Sequence, residues 1–142
     1  MSTEDNKAVI RRFYDSEGDL ERQVGMIADD RIDHAAPPGM QKGPAGYRQN
    51  LAPYYAAFPD VRITIEQILA EGDLVATHWT ARCTHTGELM GIPPTGKAVT
   101  ITGTFIDRIV DGKIAESWGN SDQVGLFQQI GAIQSPLVAA TT

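Results

Sequence analysis

The chain has 142 residues, of which 42% are apolar and 21% charged, as in an ordinary globular domain. Its net charge of −6 argues against nucleic acid or an anionic membrane as a partner, since both bind basic surfaces. No apolar run approaches the roughly 20 residues of a membrane span, and the polar start MSTEDNKAVIRR lacks the apolar core of a signal peptide. The single cysteine, Cys83, allows no internal disulfide, so we expect one cytoplasmic domain.

Three helical segments are predicted in the first part of the chain. After a cap at Ser2, apolar residues recur at helical spacing at Val9, Ile10, Phe13 and Tyr14. The polar tip of Tyr14 leaves two alternatives open, a place in the core or one in a cavity. A shorter helix is predicted over about 20–28. Beyond a loop rich in proline and glycine, a third helix is predicted over 45–58, with Asn50 on it.

From Val61 onward the apolar period changes to two, which predicts strands. They cover about 61–69, 74–85, 99–109 and 113–121, and Asp111-Gly112 is a strong signal for a hairpin turn. Helices followed by a strand meander predict an α+β fold. We expect a curved antiparallel sheet wrapped over the helices as a cone with an internal apolar pocket. Residues 1–131 would form one domain, and 132–142 a loose tail.

The sequence contains no complete motif for binding a nucleotide or a metal ion. The segment GIPPTGK has the spacing of a phosphate-binding loop, but Ala98 follows it where a hydroxyl should ligate magnesium, and two prolines remove N–H donors. The three histidines do not form a closely spaced ligand pair, so we expect no metal site. No dinucleotide fingerprint and no nucleophile elbow is present. The prediction is chemistry without a cofactor.

The segment GKIAESWGNSDQVGLFQQIG is read as a strand that passes into a short helix at Asp122. Alternation places Trp118, Asn120 and Asp122 on one face. A carboxylate beside an aromatic ring and an amide suits a desolvated general base, but Asp immediately before a helix is also a common N-cap. Spacing alone leaves both interpretations open.

Further candidates for a pocket lie elsewhere on the chain. Trp79 and His85 are six residues apart and share a strand face unless a bulge intervenes. His34 follows Asp33 at the start of the proline-rich loop, where a site residue and an ordinary surface imidazole are equally consistent with the sequence.

Three stretches of the chain resemble the SnoaL-like polyketide cyclases, a family of the nuclear-transport-factor-2-like superfamily. These are DHAAPPGMQKGPAGYRQNL, THTGELMGIPPTGK and DGKIAESWGNSDQVGLFQQIG, and their order and spacing match from about Val9 to Gly131. The resemblance implies the α+β cone and an assembly as a homodimer or homotetramer. It also implies closure of a polyketide ring by intramolecular aldol condensation, without metal or cofactor.

The resemblance assigns roles to individual positions. It puts the general acid/base on Asp122, an active-site amide on Asn50, the motif histidine on His85 and a pocket tyrosine near Tyr14. Trp118, Trp79, Asn120 and His34 would then contact the substrate, a small hydrophobic carbonyl compound.

Two alternatives remain beside the cyclase. A hydrolase in the same cone, in which carboxylates activate water as in the epoxide hydrolases of the superfamily, would need a partner such as Asp33, Asp107 or Arg82. A binding module that only holds a small apolar ligand would need no acid or base, and Asp122 would then be a cap.

Overall fold

The computed structural model describes residues 2–134. In this range the helices are α1 (Thr3–Tyr14), α2 (Leu20–Val24), α3 (Gly43–Ala57) and α4 (Gln123–Gln129). The strands are β1 (Ile27–Asp33), β2 (Arg62–Glu71), β3 (Leu74–Thr84), β4 (Ala98–Val110) and β5 (Lys113–Ser121). The predicted α+β class is confirmed. Most of the tail predicted over 132–142, from residue 135 onward, lies outside the described residues.

The strands form one sheet in the order β1-β5-β4-β3-β2. The pairs among β2, β3, β4 and β5 are antiparallel, as predicted, whereas β1 pairs with β5 in parallel. The prediction missed β1, because its sequence, IADDRID, is too charged to look like a strand, and it extended the second helix across part of this segment. The backbone hydrogen bonds of parallel pairing with β5 hold this segment as a strand, although its sequence has low strand propensity.

The hairpin between β4 and β5 turns at Asp111-Gly112. Both residues have positive φ, 50° and 76°, which is the backbone of a two-residue type I′ turn. A few residues into β5 the pairing slips, because Arg108 faces Glu116 while Ile109 faces Ile114. Ala115 is therefore the extra residue of a β-bulge, and it reverses the inward and outward alternation along the rest of β5.

The helices cover one face of the sheet and divide the core into two apolar clusters. The first is built around α1 and includes Val9, Ile10 and Phe13. The second includes Phe58 after α3 and Leu126 of α4. The space between the clusters is not filled, and the candidate site lies there. Within residues 2–134 no helix is long and apolar enough to cross a membrane.

Candidate functional site

A cavity of about 380 Å³ lies between the sheet and the helices. Its wall is mainly apolar and aromatic, and the aromatic residues that line it are Phe13, Tyr14, Tyr47, Tyr54, Tyr55, Phe58, Trp79 and Phe105. A volume of this size accommodates a small organic molecule. The expected internal apolar pocket is therefore present in the fold.

Two glycines shape the floor of the cavity. Gly103 of β4 faces Trp79 of β3 in the sheet register, and Gly119 of β5 faces Phe105 of β4. A Cβ on either glycine would collide with the aromatic ring beside it. The missing side chains let the rings of Trp79 and Phe105 lie across the neighbouring strand, and both rings line the cavity.

One carboxyl group, that of Asp107, is deeply buried in this apolar wall. Along β4 the inward positions alternate from Ile101 through Gly103 and Phe105 to Asp107, which is 5% exposed. Burial raises the pKa of Asp107 to about 6, although a hydrogen bond from Ser117 and the charge of Arg31 oppose the rise. A carboxyl with this pKa can accept and return a proton near neutral pH.

A short hydrogen-bonded chain leads from Arg31 to Asp107. Arg31 Nε donates to Ser117 Oγ at 3.0 Å, and Ser117 Oγ donates to Asp107 Oδ1 at 2.6 Å. Arg31 is almost fully buried, lies 5.6 Å from the ring centre of Tyr47 and is 3.7 Å from Asp33 Oδ2. The buried guanidinium is therefore shared between two carboxylates, Asp33 directly and Asp107 through Ser117.

Two of the predicted site residues on helices line the same cavity. Tyr14, at the end of α1, is buried, and its pKa is raised well above the ordinary value by burial and by the charge of Asp107. This coupling places the phenol within electrostatic reach of the carboxylate. Asn50 of α3 presents an amide to the cavity. Both groups can donate a hydrogen bond to an oxygen of a bound molecule.

Neighbouring polar groups on the helical side are paired with one another. The hydroxyls of Tyr47 and Tyr55 both donate to Gln23 Oε1, at 2.9 and 2.8 Å. These bonds hold α2 against α3 and fix the tyrosine rings as wall.

The structure places Asp122 differently from the expectation of a desolvated base. Asp122 is exposed, and its Oδ1 accepts the Gly125 N–H at 2.9 Å as the N-cap of α4. It borders a groove on the other face of the sheet and does not line the cavity. This geometry is the capping alternative that the sequence left open; a catalytic role of Asp122 stays a prediction.

Trp118 and His34 also lie on the outer face of the sheet, not in the cavity. Their rings stack at 5.1 Å with an interplanar angle of 9°, and His34 Nε2 is 2.7 Å from Glu116 Oε2. The guanidinium carbon of Arg108 lies 5.7 Å from the centre of the Trp118 ring. Asn120 lies at the rim, where it borders both the cavity and the outer groove. The sheet separates the two indoles, so Trp79 lines the cavity and Trp118 does not; contact of Trp118 with a substrate stays a prediction.

His85 is not a cavity residue either. It follows the end of β3, is fully buried, and its Nδ1 is bonded to the Thr95 hydroxyl at 3.0 Å and the Thr95 N–H at 3.3 Å. The backbone of His85 also pairs with Lys97 and Gly96. These contacts hold the base of the loop between β3 and β4.

Sequence reasoning singled out Tyr14, Asn50, Trp79 and Asn120, which the structure brings to the cavity or its rim. It missed Arg31 and Ser117, and it named Asp33 and Asp107 only as partners for a hydrolase. A usable signal existed for Asp107, since it is in phase with the apolar inward positions of β4. No comparable pattern marks Ser117, because the bulge at Ala115 changes the phase before it.

The described residues contain no group of three or more His, Cys, Asp or Glu side chains that could hold a metal ion. The chemistry available in the cavity is that of a carboxyl with an elevated pKa, a guanidinium, a serine hydroxyl and the phenol and amide of Tyr14 and Asn50. This set suits proton transfer to and from a bound organic molecule.

Comparison with known proteins identifies the family. The family described as SnoaL-like polyketide cyclase matches residues 7–130. Nogalonic acid methyl ester cyclase from Streptomyces nogalater is 30% identical over 94 residues, which are 66% of this chain and 70% of that protein.

Solved structures agree with this assignment. IdmH from Streptomyces antibioticus, described as a candidate polyketide cyclase, is 37% identical with a TM-score of 0.77, over 89% of this chain and 98% of that one. AclR from Streptomyces galilaeus, described as a candidate hydroxylase, is 26% identical with a TM-score of 0.85, over 99% of this chain and 90% of that one. The chain therefore belongs to the SnoaL-like polyketide cyclase family.

Proposed function

We propose that this protein is a cofactor-independent cyclase that closes a ring of a hydrophobic, polyketide-like carbonyl compound by an intramolecular aldol reaction. The observation that carries the proposal is the carboxyl of Asp107, which is buried in an apolar cavity of about 380 Å³ with its pKa raised to about 6. Family membership supplies the substrate class.

The reaction needs one group that moves a proton and one that holds an oxygen. Asp107 takes the proton from a carbon next to a carbonyl, and the C–H electron pair becomes an enolate. The enolate carbon attacks a second carbonyl of the same molecule, forming the C–C bond, and the new alkoxide takes up the proton that Asp107 holds. Atoms and charge balance, so the reaction consumes no cofactor.

Hydrogen-bond donors in the same cavity stabilise the oxygen that becomes negative. Tyr14 and Asn50 line the cavity and present a phenol and an amide, which are suited to hold an enolate or alkoxide. Trp79 and Phe105 provide aromatic surface against which a planar polyketide ring can pack. The largely apolar wall lowers the local polarity, which strengthens these interactions.

The test compares two carboxylates in one assay. Nogalonic acid methyl ester is the first substrate, since a relative's name states it, and further aromatic polyketide ketones follow. We expect conversion by the wild type and a loss of about a hundredfold or more with Asp107→Asn, the size of a general acid/base contribution. Asp122→Asn is the matched variant on the outer face, and conversion should survive it. Loss of conversion with Asp122→Asn alone would transfer the acid/base role to Asp122 and refute the assignment to Asp107.

A hydrolase is the second candidate function. The specific observation in its favour is the guanidinium of Arg31 between two carboxylates, Asp33 at 3.7 Å and Asp107 through Ser117. Such a set can hold and activate a water molecule. Reaction in water enriched in oxygen-18 separates the two candidates: a cyclase product gains no label through the closing step, whereas a hydrolase product carries it. Binding without conversion in the wild type would leave a ligand-binding module.

The proposal includes assembly as a homodimer or homotetramer. The outer face of the sheet carries Ile32 and Ile106, each 40% exposed, beside Trp118. An apolar patch of this kind on a sheet face suits contact with a second copy. Light scattering should give a multiple of the 15.4 kDa chain mass. We expect Ile106→Lys to shift the distribution to monomer, and an unchanged mass would exclude this face.

A further inference from the structure

We infer that Arg31 and Ser117 are positioning residues that hold the exchangeable proton of Asp107 on Oδ2, the oxygen that Ser117 does not occupy. The inference deepens the proposed function and rests on it only for the identity of the proton acceptor. It stands on the geometry of three side chains from three adjacent strands, β1, β5 and β4.

The direction of the hydrogen bonds follows from the chemistry of the donors. The Nε–H of Arg31 can only donate, so Ser117 Oγ must accept in the 3.0 Å contact between them. A serine hydroxyl has one proton, and the remaining contact of Ser117 Oγ is with Asp107 Oδ1 at 2.6 Å. Ser117 therefore donates to Oδ1. Arginine stays protonated under all ordinary conditions, so this orientation does not reverse.

The two oxygens of Asp107 are consequently different. Oδ1 already accepts a short hydrogen bond from a hydroxyl whose own lone pair is held by a cation. No donor within residues 2–134 occupies Oδ2. Ser117 is fully buried, whereas Asp107 lines the cavity, so the free oxygen is the one available to a bound molecule. A proton taken from the substrate goes to Oδ2 and returns from it.

The same groups set the balance between the charged and neutral carboxyl. The titratable and charged groups that line the cavity together with Asp107 are Tyr14 of α1, Arg31 and Asp33 of β1, Tyr47, Tyr54 and Tyr55 of α3 and Cys83 of β3. Ser117 and Arg31 favour the charged form of Asp107, whereas Asp33 opposes it as a like charge. The two influences have opposite sign, and each can be removed by a single substitution.

The experiment is a carbon-13 NMR titration of the Asp107 side chain in the full chain, without substrate. In the wild type we expect a midpoint at about pH 6. Ser117→Ala removes the donor to the charged form and should raise the midpoint by about one pH unit, the worth of one such bond. Asp33→Asn removes the like charge and should lower it. Thr104→Ala, on the outward side of β4, is the matched control and should leave it in place.

Opposite shifts in Ser117→Ala and Asp33→Asn support the inference, since a general loosening of the fold moves both variants in one direction. A midpoint that is unchanged in Ser117→Ala, or that moves in the same direction in both variants, overturns the inference. If Ser117→Ala does not fold, Asp33→Asn still decides, because an unchanged or raised midpoint there contradicts the shared guanidinium.

The titration also separates this inference from the proposed function. If the midpoints move as expected while Asp107→Asn keeps its conversion, the proton placement holds and the proposed base is wrong. If Asp107→Asn abolishes conversion while Ser117→Ala leaves the midpoint unchanged, Asp107 is the base and the positioning role of Ser117 is wrong.

Discussion

The two faces of the β4–β5 pair shift the pKa of a carboxyl group in opposite directions. On the inner face Asp107 is buried, bonded to Ser117 and held in an apolar cavity, where its pKa rises to about 6. On the outer face Glu116 is bonded to His34 and Arg108 beside solvent, and these partners lower its pKa.

The difference arises one residue apart along β5. Ser117 points inward to Asp107, and Glu116 points outward to its basic partners. Burial without a direct cation makes a carboxyl basic, whereas pairing at the surface makes it a permanent charge. Of these two carboxyl groups, Asp107 is therefore the one whose pKa lies near neutral pH.

The largest stability effect should come from Asp107→Asn. Its carboxyl has a folded pKa of about 6 against a reference of 3.8, so the folded state binds the proton more tightly than the unfolded chain. The stabilisation is present below about pH 4 and is lost as pH rises through 6, which costs the wild type about 3 kcal/mol at pH 8. Urea unfolding should therefore find Asp107→Asn more stable than wild type at pH 8 but not at pH 4. A constant difference across this range would contradict the buried carboxyl.

Gly103→Ala tests the packing of the inner face. The new Cβ would collide with the Trp79 ring, and the rearrangement should cost about 2 kcal/mol. Thr104→Ala, the next residue on the outward side, should change the free energy of unfolding by less than about 0.5 kcal/mol. Equal effects in thermal melts would mean that the two faces are packed alike.

Asp122→Ala tests the outer carboxylate as a cap. Loss of its bond to the Gly125 N–H should destabilise the protein by about 1 kcal/mol at neutral pH. Asp122→Ser, which keeps a capping oxygen, should recover most of this loss in urea unfolding. If Ser and Ala behave identically, the cap does not explain why Asp is found there.

The smallest effect is expected for Glu116→Gln. Its partners His34 and Arg108 are partly exposed, so the ion pairs are screened and contribute little. We expect Glu116→Gln to change the free energy of unfolding less than any of the variants above, and less again in 1 M salt. A loss as large as that of Gly103→Ala would show that the outer network is structurally essential.

Much of the fold could be predicted from the chain alone. Period-two alternation marks β2 to β5, Asp111-Gly112 marks their last hairpin, and the apolar stripe ending at Tyr14 marks α1. The exception is β1, whose charged sequence hides a strand that depends on its partner β5. Arg31 was missed together with it.

The site was harder to predict, for a reason that lies in one residue. Alternation shows which side chains share a face but not which face is inward. Counting by twos from the buried Ile114 puts Trp118 and Asp122 inside. The bulge at Ala115 reverses that count, so Ser117 and Gly119 face the cavity and Trp118 faces out. No local sequence pattern predicts the bulge, because the bulge is defined by the pairing of β5 with β4.

The central claim is that Asp107 is the proton-exchanging carboxyl of the cavity, and a side-chain carbon-13 titration of the wild type tests it most directly. One aspartate resonance should titrate at about pH 6 and be absent from Asp107→Asn, while the Asp122→Asn spectrum retains it. If no aspartate carboxyl titrates above about pH 5, Asp107 is not held in the buried, basic state described above, and the account of the site is wrong.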